Sequence, residues 1–583
     1  MSTTTMASEL ILHPAFLVLL GAVVVPLVSP TVRGKVLPLF PLAALWVCWN
    51  LSADHSFSVE FLEYRLSILQ VDRLSRVFGI VFSLIGFAGG LFALHLKDVR
   101  QQVSALLYAG SALGLVFSGD WLTLFLFWEL TAVSSTVLIW SRQGTGSGVG
   151  LRYLLVHLFG GSLLLAGILA QVQATGGIAL QLLEAGRLSS WLILGGVAVN
   201  AAIPPLHAWL ADAYPKATVT GAVFLSAFTT KSAVYLLVRV APGWEILIAL
   251  GVIMALYGVI FAVLANNIRE ILAYHIISQV GYMVAGVGIG TPLALDGAVA
   301  HAFSHILYKA LLFMGAGMVL QATGRSRLTE LGGLAGRMPL TLWLYMVGAF
   351  SISGFPLFNG FISKSMVVSA ALDSRYQAAY LLLLLASVGT FLSIGLKLPY
   401  FTWYGRSRPE LGVSRPPLNM HLAMGLLAVL CVGFGVFPSL LYAELPYGAS
   451  YRPYTLPHLV ESIQLLAATF FGFWWFRSKL AGQPTLTLDT DWFYRRPAGW
   501  VRRWLVDGTS RLFDRADAGI LAGIGWLAPR FRNPARWLGR GAEREQGPAI
   551  SSDDPDATRP KLEFAVTLIL LSVLLFTAMA FFG

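Results

Sequence analysis

The residues able to do chemistry in this chain are ionisable groups set inside long apolar runs. Glu129 stands in WLTLFLFWELTAVSSTVLIW, with Asp120 at the edge of the same run. Lys231 lies in GAVFLSAFTTKSAVYLLVRV, and His301, His305 and Lys309 recur at every fourth position of HAFSHILYKALLF. That spacing puts all three on one helix face. Lys397 lies near the end of YLLLLLASVGTFLSIGLKLPYF, and Lys364 follows the break GFPLFNGFISK. Charge at bilayer depth is costly and marks ion or proton pathways. His and Lys suit a proton relay because burial makes both of their protonation states accessible. A lone His in a packed helix is more often a satisfied core group, whereas two stacked with a Lys read as a relay. Metal binding by His301 and His305 is rejected: no third ligand is visible, and Lys309 would oppose a cation. Lys397 is close enough to a span end for its stem to snorkel.

The elements that must position these groups are membrane spans. The chain has 583 residues, 56% hydrophobic and only 12% charged, with mean hydropathy +0.72. Those values exclude a soluble globular enzyme, a nucleic-acid binder and a disordered protein. Apolar runs long enough to cross a roughly 30 Å hydrocarbon core recur along it. The reading is all-α and polytopic, with about 16 transmembrane helices. They fall near 10–29, 35–52, 74–96, 103–119, 121–140, 149–171, 188–210, 217–240, 244–265, 270–290, 294–320, 339–358, 377–401, 421–442, 457–476 and 562–582. Breaks are expected at Pro204 and Pro205 beside His207, at Pro356, and at Pro399. Broken helices in corresponding halves point to ion sites at an inverted-repeat interface. The expected organisation is N-terminal spans 1–102, five-helix repeats 103–243 and 244–442, and an additional span in 443–477. An amphipathic segment 478–561 and an anchor 562–583 follow. In 478–561, tryptophans and other apolar residues recur at helical spacing among Arg and Asp, as in a helix lying in the membrane interface.

Loop charge gives an expected orientation. The net charge of +11 reflects Lys and Arg collected in alternate loops, among them Arg33, Lys97, Arg142, Lys216, Arg269 and Arg327. These loops are expected to be cytoplasmic, with both termini outside. No cleavable signal peptide is evident in MSTTTMASEL. Cys48 and Cys431 lie in separate runs and provide neither a disulfide framework nor cluster ligation. GTGSGVG at 144–150 follows a span and not a strand, so it is no nucleotide fingerprint. No cofactor motif is present, and the expected role is movement of an ion by a subunit without its own redox centre.

The runs FWELTAVSSTVLIW, IPPLHAWLADAYPKATV, TTKSAVYLLVR, NNIREILAYHIISQVGYMVAGVG, HAFSHILYKALLFMGAG and FPLFNGFISK resemble the antiporter-like subunits of respiratory complex I and Mrp-type cation/proton antiporters. The resemblance covers roughly 65–442. LAYHIISQVGYM and LDTDWFYRR look closest to the D component of Mrp-type Na⁺/H⁺ antiporters and its relatives in membrane-bound hydrogenases. The amphipathic segment and last span are similar to the lateral helix of the distal complex I pumping subunit. The resemblance implies that Glu129 couples to a neighbouring lysine. It implies further that Lys231 and the His301/His305/Lys309 face form a central hydrophilic axis, and that Lys397 serves the exit half-channel. Lys364, His207 and Asp120 are accessory. Asn200 stands where most members carry a buried lysine, so one charge of the first half-channel is missing. The implied host is a multi-subunit Mrp-like complex in a bacterial inner membrane, exchanging protons for Na⁺. Alternatives are a pump subunit of an NADH:quinone oxidoreductase or hydrogenase, and a non-conducting or inorganic-carbon-uptake subunit on the same fold.

Overall fold

Three helices form the centre, and they are the ones that carry the most polar groups. In the computed structural model, which describes residues 13–142, 147–483 and 489–531, the spans Val219–Val240 and Ile268–Ile289 are buried along their whole apolar stretch. Pro292–Thr323 is 94% buried. Pro292–Thr323 has 32 residues, so it extends about 48 Å and overreaches the hydrocarbon layer. Arg73–Phe92 and Leu418–Val436 pack against it, and Trp121–Trp140, Ser147–Thr175, Ile246–Leu264 and Gln377–Tyr404 are further spans. Leu456–Phe476 sits at the margin with 17% of its apolar stretch buried. Among the described residues ten helices are long and apolar enough to cross a membrane, and Pro14–Leu27, Leu188–Asn200 and Pro339–Ser353 are shorter apolar helices. The polytopic helical reading holds. The expected last span at 562–582 lies outside the described residues.

Sequence patterning passed over two places. Residues 56–70 form an antiparallel hairpin, Ser56–Phe61 with Tyr64–Gln70. It is the one sheet among the described residues. Asn359–Asp373 is a buried helix that the span reading passes over, because its asparagine, serines and lysine dilute the hydropathy. The run expected as one span at 217–240 is one, Val219–Val240, built of two helical pieces, Val219–Leu225 and Thr229–Val240.

Interruptions fall where the prolines and glycines put them, in three forms. Leu188–Asn200 stops at Asn200, and helix resumes at Ala208–Ala213, with Ala202 left-handed at φ 57° between them. Pro339–Ser353 ends at Gly354, whose φ of 73° suits a residue without a Cβ. Near Lys397 the chain does not open into a loop. Gln377–Thr390 widens into π-helical turns over Phe391–Lys397 and Tyr400–Tyr404, a distortion common at functional positions.

The chain divides into two units, Met1–Arg495 and Arg496–Gly583. In the second, a π turn at Arg502–Val506 leads into the helix Asp507–Phe531. Trp500, Trp504, Leu512, Phe513, Ile520 and Trp526 are all exposed in this unit.

Candidate functional site

The three central helices bring one group of sequence-expected residues together. His301, His305 and Lys309 are 0% exposed on one face of Pro292–Thr323, and Lys231 is 0% exposed on Thr229–Val240. His305 lies in the field of Lys231, Lys309, His301 and Lys364. His301 feels Lys364 and Lys231, and Lys309 feels Lys231. His301 Nδ1 is 3.2 Å from Ser363 Oγ, and its ring lies 6.3 Å from that of His305. Both ring nitrogens of His305 and the ammonium of Lys309 have no hydrogen-bond partner among the described residues.

Three of the four lysines are held the same way, by carbonyls that a helix end or break leaves free. Lys231 Nζ donates to Ser226 O at 2.6 Å, beside the break before Thr229. Lys364 Nζ reaches back across the Gly354 break to Ile352 O at 2.7 Å, and lies 5.3 Å from the Tyr282 ring centre. Lys397 Nζ donates to Val263 O at 2.6 Å and Ala265 O at 3.2 Å, where Ile246–Leu264 ends. Such carbonyls are the negative end of the helix and suit a cation. Lys364 also lines a cavity of about 60 Å³ with Ser353, Ser387, His458 and Glu461, room for one or two waters among polar partners.

Glu129, Asp120 and Lys397 stand apart from this cluster. Glu129 is half-buried on the face of Trp121–Trp140 that also exposes Leu126 and Val133, and it packs on Gly161 of the next helix. Its Oε1 is buried without a partner among the described residues. Asp120 is consumed by structure. It caps Trp121–Trp140 through Thr123 N at 2.8 Å and pins the hairpin through Ser67 N at 2.7 Å. Asn200 is buried at the end of its helix, and its Oδ1 has no partner among the described residues.

Sequence reasoning missed two further groups. His275 is buried on Ile268–Ile289, in the field of Lys309 and Lys364, and its Nε2 meets Ser393 Oγ in the π turn at 2.5 Å. Gln279, one turn on, contacts Thr390 at 3.4 Å. These two polar residues in LAYHIISQ span the gap between the central axis and the Lys397 helix, and their i, i+4 spacing was the available signal. The second is Asp489. It accepts from Tyr257 at 2.6 Å, Tyr274 at 2.7 Å and His207 Nε2 at 3.1 Å. Burial works against its charge, but His207 and the two hydroxyls prevail and hold the carboxyl well below the usual carboxylate range. Among the described residues no group of three or more His, Cys, Asp or Glu side chains is placed to hold a metal.

Comparison with known proteins agrees with this geometry. Residues 118–393 match the family described as NADH:quinone oxidoreductase/Mrp antiporter, TM. The A component of the Na(+)/H(+) antiporter of Alkalihalophilus pseudofirmus is 29% identical over 423 residues, covering 64% of this chain and 52% of that protein. The chain thus spans about half the length of that relative. A chain of the Mrp complex from Dietzia sp. DQ12-45-1b has the same fold, with TM-score 0.69 and 24% identity over 79% of this chain and 100% of that one. A chain of an archaeal membrane-bound sulfane sulfur reductase superposes with TM-score 0.67 at 25% identity, covering 80% of this chain and 99% of that one. Residues 118–393, the stretch that matches the model of that family, hold Glu129, Lys231, the His301/His305/Lys309 face and Lys364.

Proposed function

We propose that this chain is a proton-translocating membrane subunit of a multi-subunit cation/proton antiporter of Mrp type, with Na⁺ as the exchanged cation. The observation that carries the reading is the buried file Lys231, His301, His305, Lys309, Lys364 and His275, in mutual electrostatic range across closely packed helices. Like charges in a poorly solvated interior repel strongly, so a proton arriving on one group displaces a proton from the next. Lys397, on its carbonyl pair, is the exit group, reached through His275 and Ser393. Glu129 faces outward and would meet a charge from a neighbouring membrane subunit. We place the basic loops on the cytoplasmic side of a bacterial inner membrane, and take 103–243 and 244–442 as the two repeats. The exposed aromatic face of 496–531 suits the membrane interface or a partner subunit.

The test is Na⁺-dependent proton flux in inverted vesicles carrying the assembled complex. Lys231→Ala and Lys397→Ala are each expected to abolish flux while the protein still inserts. Wild-type flux in both would sink the relay. A second reading, a pump subunit driven by redox partners, is supported by the likeness to the sulfane sulfur reductase chain. Subunits carrying flavin or clusters in the purified complex would select it. A third, a non-conducting or carbon-uptake subunit, rests on Asn200.

A further inference from the structure

The segment after Leu456–Phe476 folds back onto the first broken helix, and it brings a carboxylate to a buried histidine. His207 lies between the Pro204–Pro205 break and Ala208–Ala213 and is 0% exposed. Its Nε2 is 3.1 Å from Asp489 Oδ1, while Nδ1 is buried without a partner among the described residues. Asp489, with 6% of its side chain exposed, is clasped by Tyr257 of Ile246–Leu264 and Tyr274 of Ile268–Ile289. The same segment is seated twice more. Thr490 Oγ1 donates to Pro205 O at 3.2 Å, and Arg495 bridges Asp212 at 2.8 Å and Asp491 at 2.6 Å. Asp212 is also held by Arg152 at 2.8 Å and Lys216 at 2.6 Å.

We propose that His207 is the proton-loading group of the first half of the membrane domain, and that Asp489 is its positioning residue. The inference rests on the reading that this chain moves protons. It follows from what the first half lacks and what the fold supplies. Asn200 ends Leu188–Asn200 and takes up no charge. The chain then runs directly to His207, and Trp209 ties the resumed helix to that end through Val199 O at 2.9 Å. A histidine whose one nitrogen is fixed on a carboxylate and whose other is open is held in a single tautomer and balanced when charged. Nδ1 takes a proton from water, Nε2–H stays on Asp489, and the proton leaves again from Nδ1. Asp489 stays ionised throughout, because its three partners favour the charged carboxylate. The groups facing His207 are the Tyr257 ring at 4.5 Å and Asp489 itself, with Tyr274 across the carboxylate. Around Asp489 and Tyr257 lie Asp491, Glu270, Lys216, Asp212 and Arg495. A purely structural strap needs no open buried nitrogen on His207.

The experiment uses the assembled complex in liposomes and reads initial proton flux against pH. Asp489→Asn keeps one acceptor oxygen, for Tyr257 or Tyr274 but not both, and removes the charge. It is expected to lower flux roughly tenfold near neutral pH and to change the pH profile of flux. Asp489→Glu should restore most of the rate. Thr490→Cys added to each variant reports seating, since a docked segment shields that thiol from an aqueous maleimide. His207→Gln, with Asp489 intact, is expected to lose the pH-dependent limb altogether. A seated Asp489→Asn variant with wild-type rate and profile overturns the proposal. If that variant unseats, His207→Gln decides, and wild-type flux there overturns it. A wild-type complex that moves no protons overturns the antiporter reading instead.

Discussion

Lys231, Lys364 and Lys397 each lay an ammonium on carbonyls left free by a helix end or break, whereas Lys309 sits mid-helix with none. Lys309 is therefore the group whose charge depends most on its neighbours. Lys309→Ala should stop flux at any pH, while Lys309→Arg should insert normally and fail to release its proton. Proton flux beside a quantified membrane fraction checks both. Asn200→Lys tests the other half. An ammonium there would put a charge at the end of Leu188–Asn200, and in a working pump it should change rate or coupling severalfold. A non-conducting subunit would be indifferent. Lys231, His301, His305, Lys309 and Lys397 were legible in the sequence because each stands in an apolar run where a polar group needs a reason, whereas His275 was passed over. Asp489 was not legible, since a carboxylate in the polar stretch LDTDWFYRR is ordinary until the chain folds back. Asp120 was misleading for the opposite reason. It lies at a span edge, and its work there is to cap a helix and tie a hairpin.

At the scale of elements, the breaks do more than interrupt. Each produces the backbone acceptors that a buried lysine uses, so helix end and charge belong to one arrangement. The π turns at Phe391–Lys397 bring Ser393 to His275 and carry Lys397 onto the end of Ile246–Leu264. Ser393→Ala removes that link and should slow flux about fivefold to tenfold, the worth of one hydrogen bond, without lowering the melting temperature comparably. Asp120→Ala should do the reverse. Loss of the cap costs about 1 kcal/mol, seen as a lower melting temperature, with flux per inserted molecule unchanged. The sequence marked these breaks through Pro and Gly, yet could not say which would be loops and which widened turns. That depends on whether neighbouring helices supply partners for the freed groups. Asn359–Asp373 was hidden for a related reason: a helix enclosed by protein on all sides needs no long apolar run.

For the whole molecule, the segment at 489–495 joins distant helices, since its partners come from Ala208–Ala213 on one side and from Ile246–Leu264 and Ile268–Ile289 on the other. Its pH response follows from Asp489. A carboxyl held below its usual range stabilises docking at all pH above that range, and the contribution is lost only as pH falls through the depressed value. Amide exchange at 489–495 should therefore stay slow down to about pH 4, the ordinary carboxylate range, and accelerate only below it. Exchange that accelerates between pH 6 and 5 would contradict that anchoring. The helical class and the central helices were readable from hydropathy alone, but contacts between residues nearly 300 positions apart (His207 with Asp489) leave no periodic trace.

That separation also sets an order of events during synthesis. The chain emerges from its N-terminus, so the spans through Leu456–Phe476 are made before residue 489 exists. An unfinished molecule thus holds every lysine of the relay but lacks the carboxylate that readies its first histidine. Nascent chains would pass protons only slowly, and the pathway would reach its full rate only once residue 489 had been made.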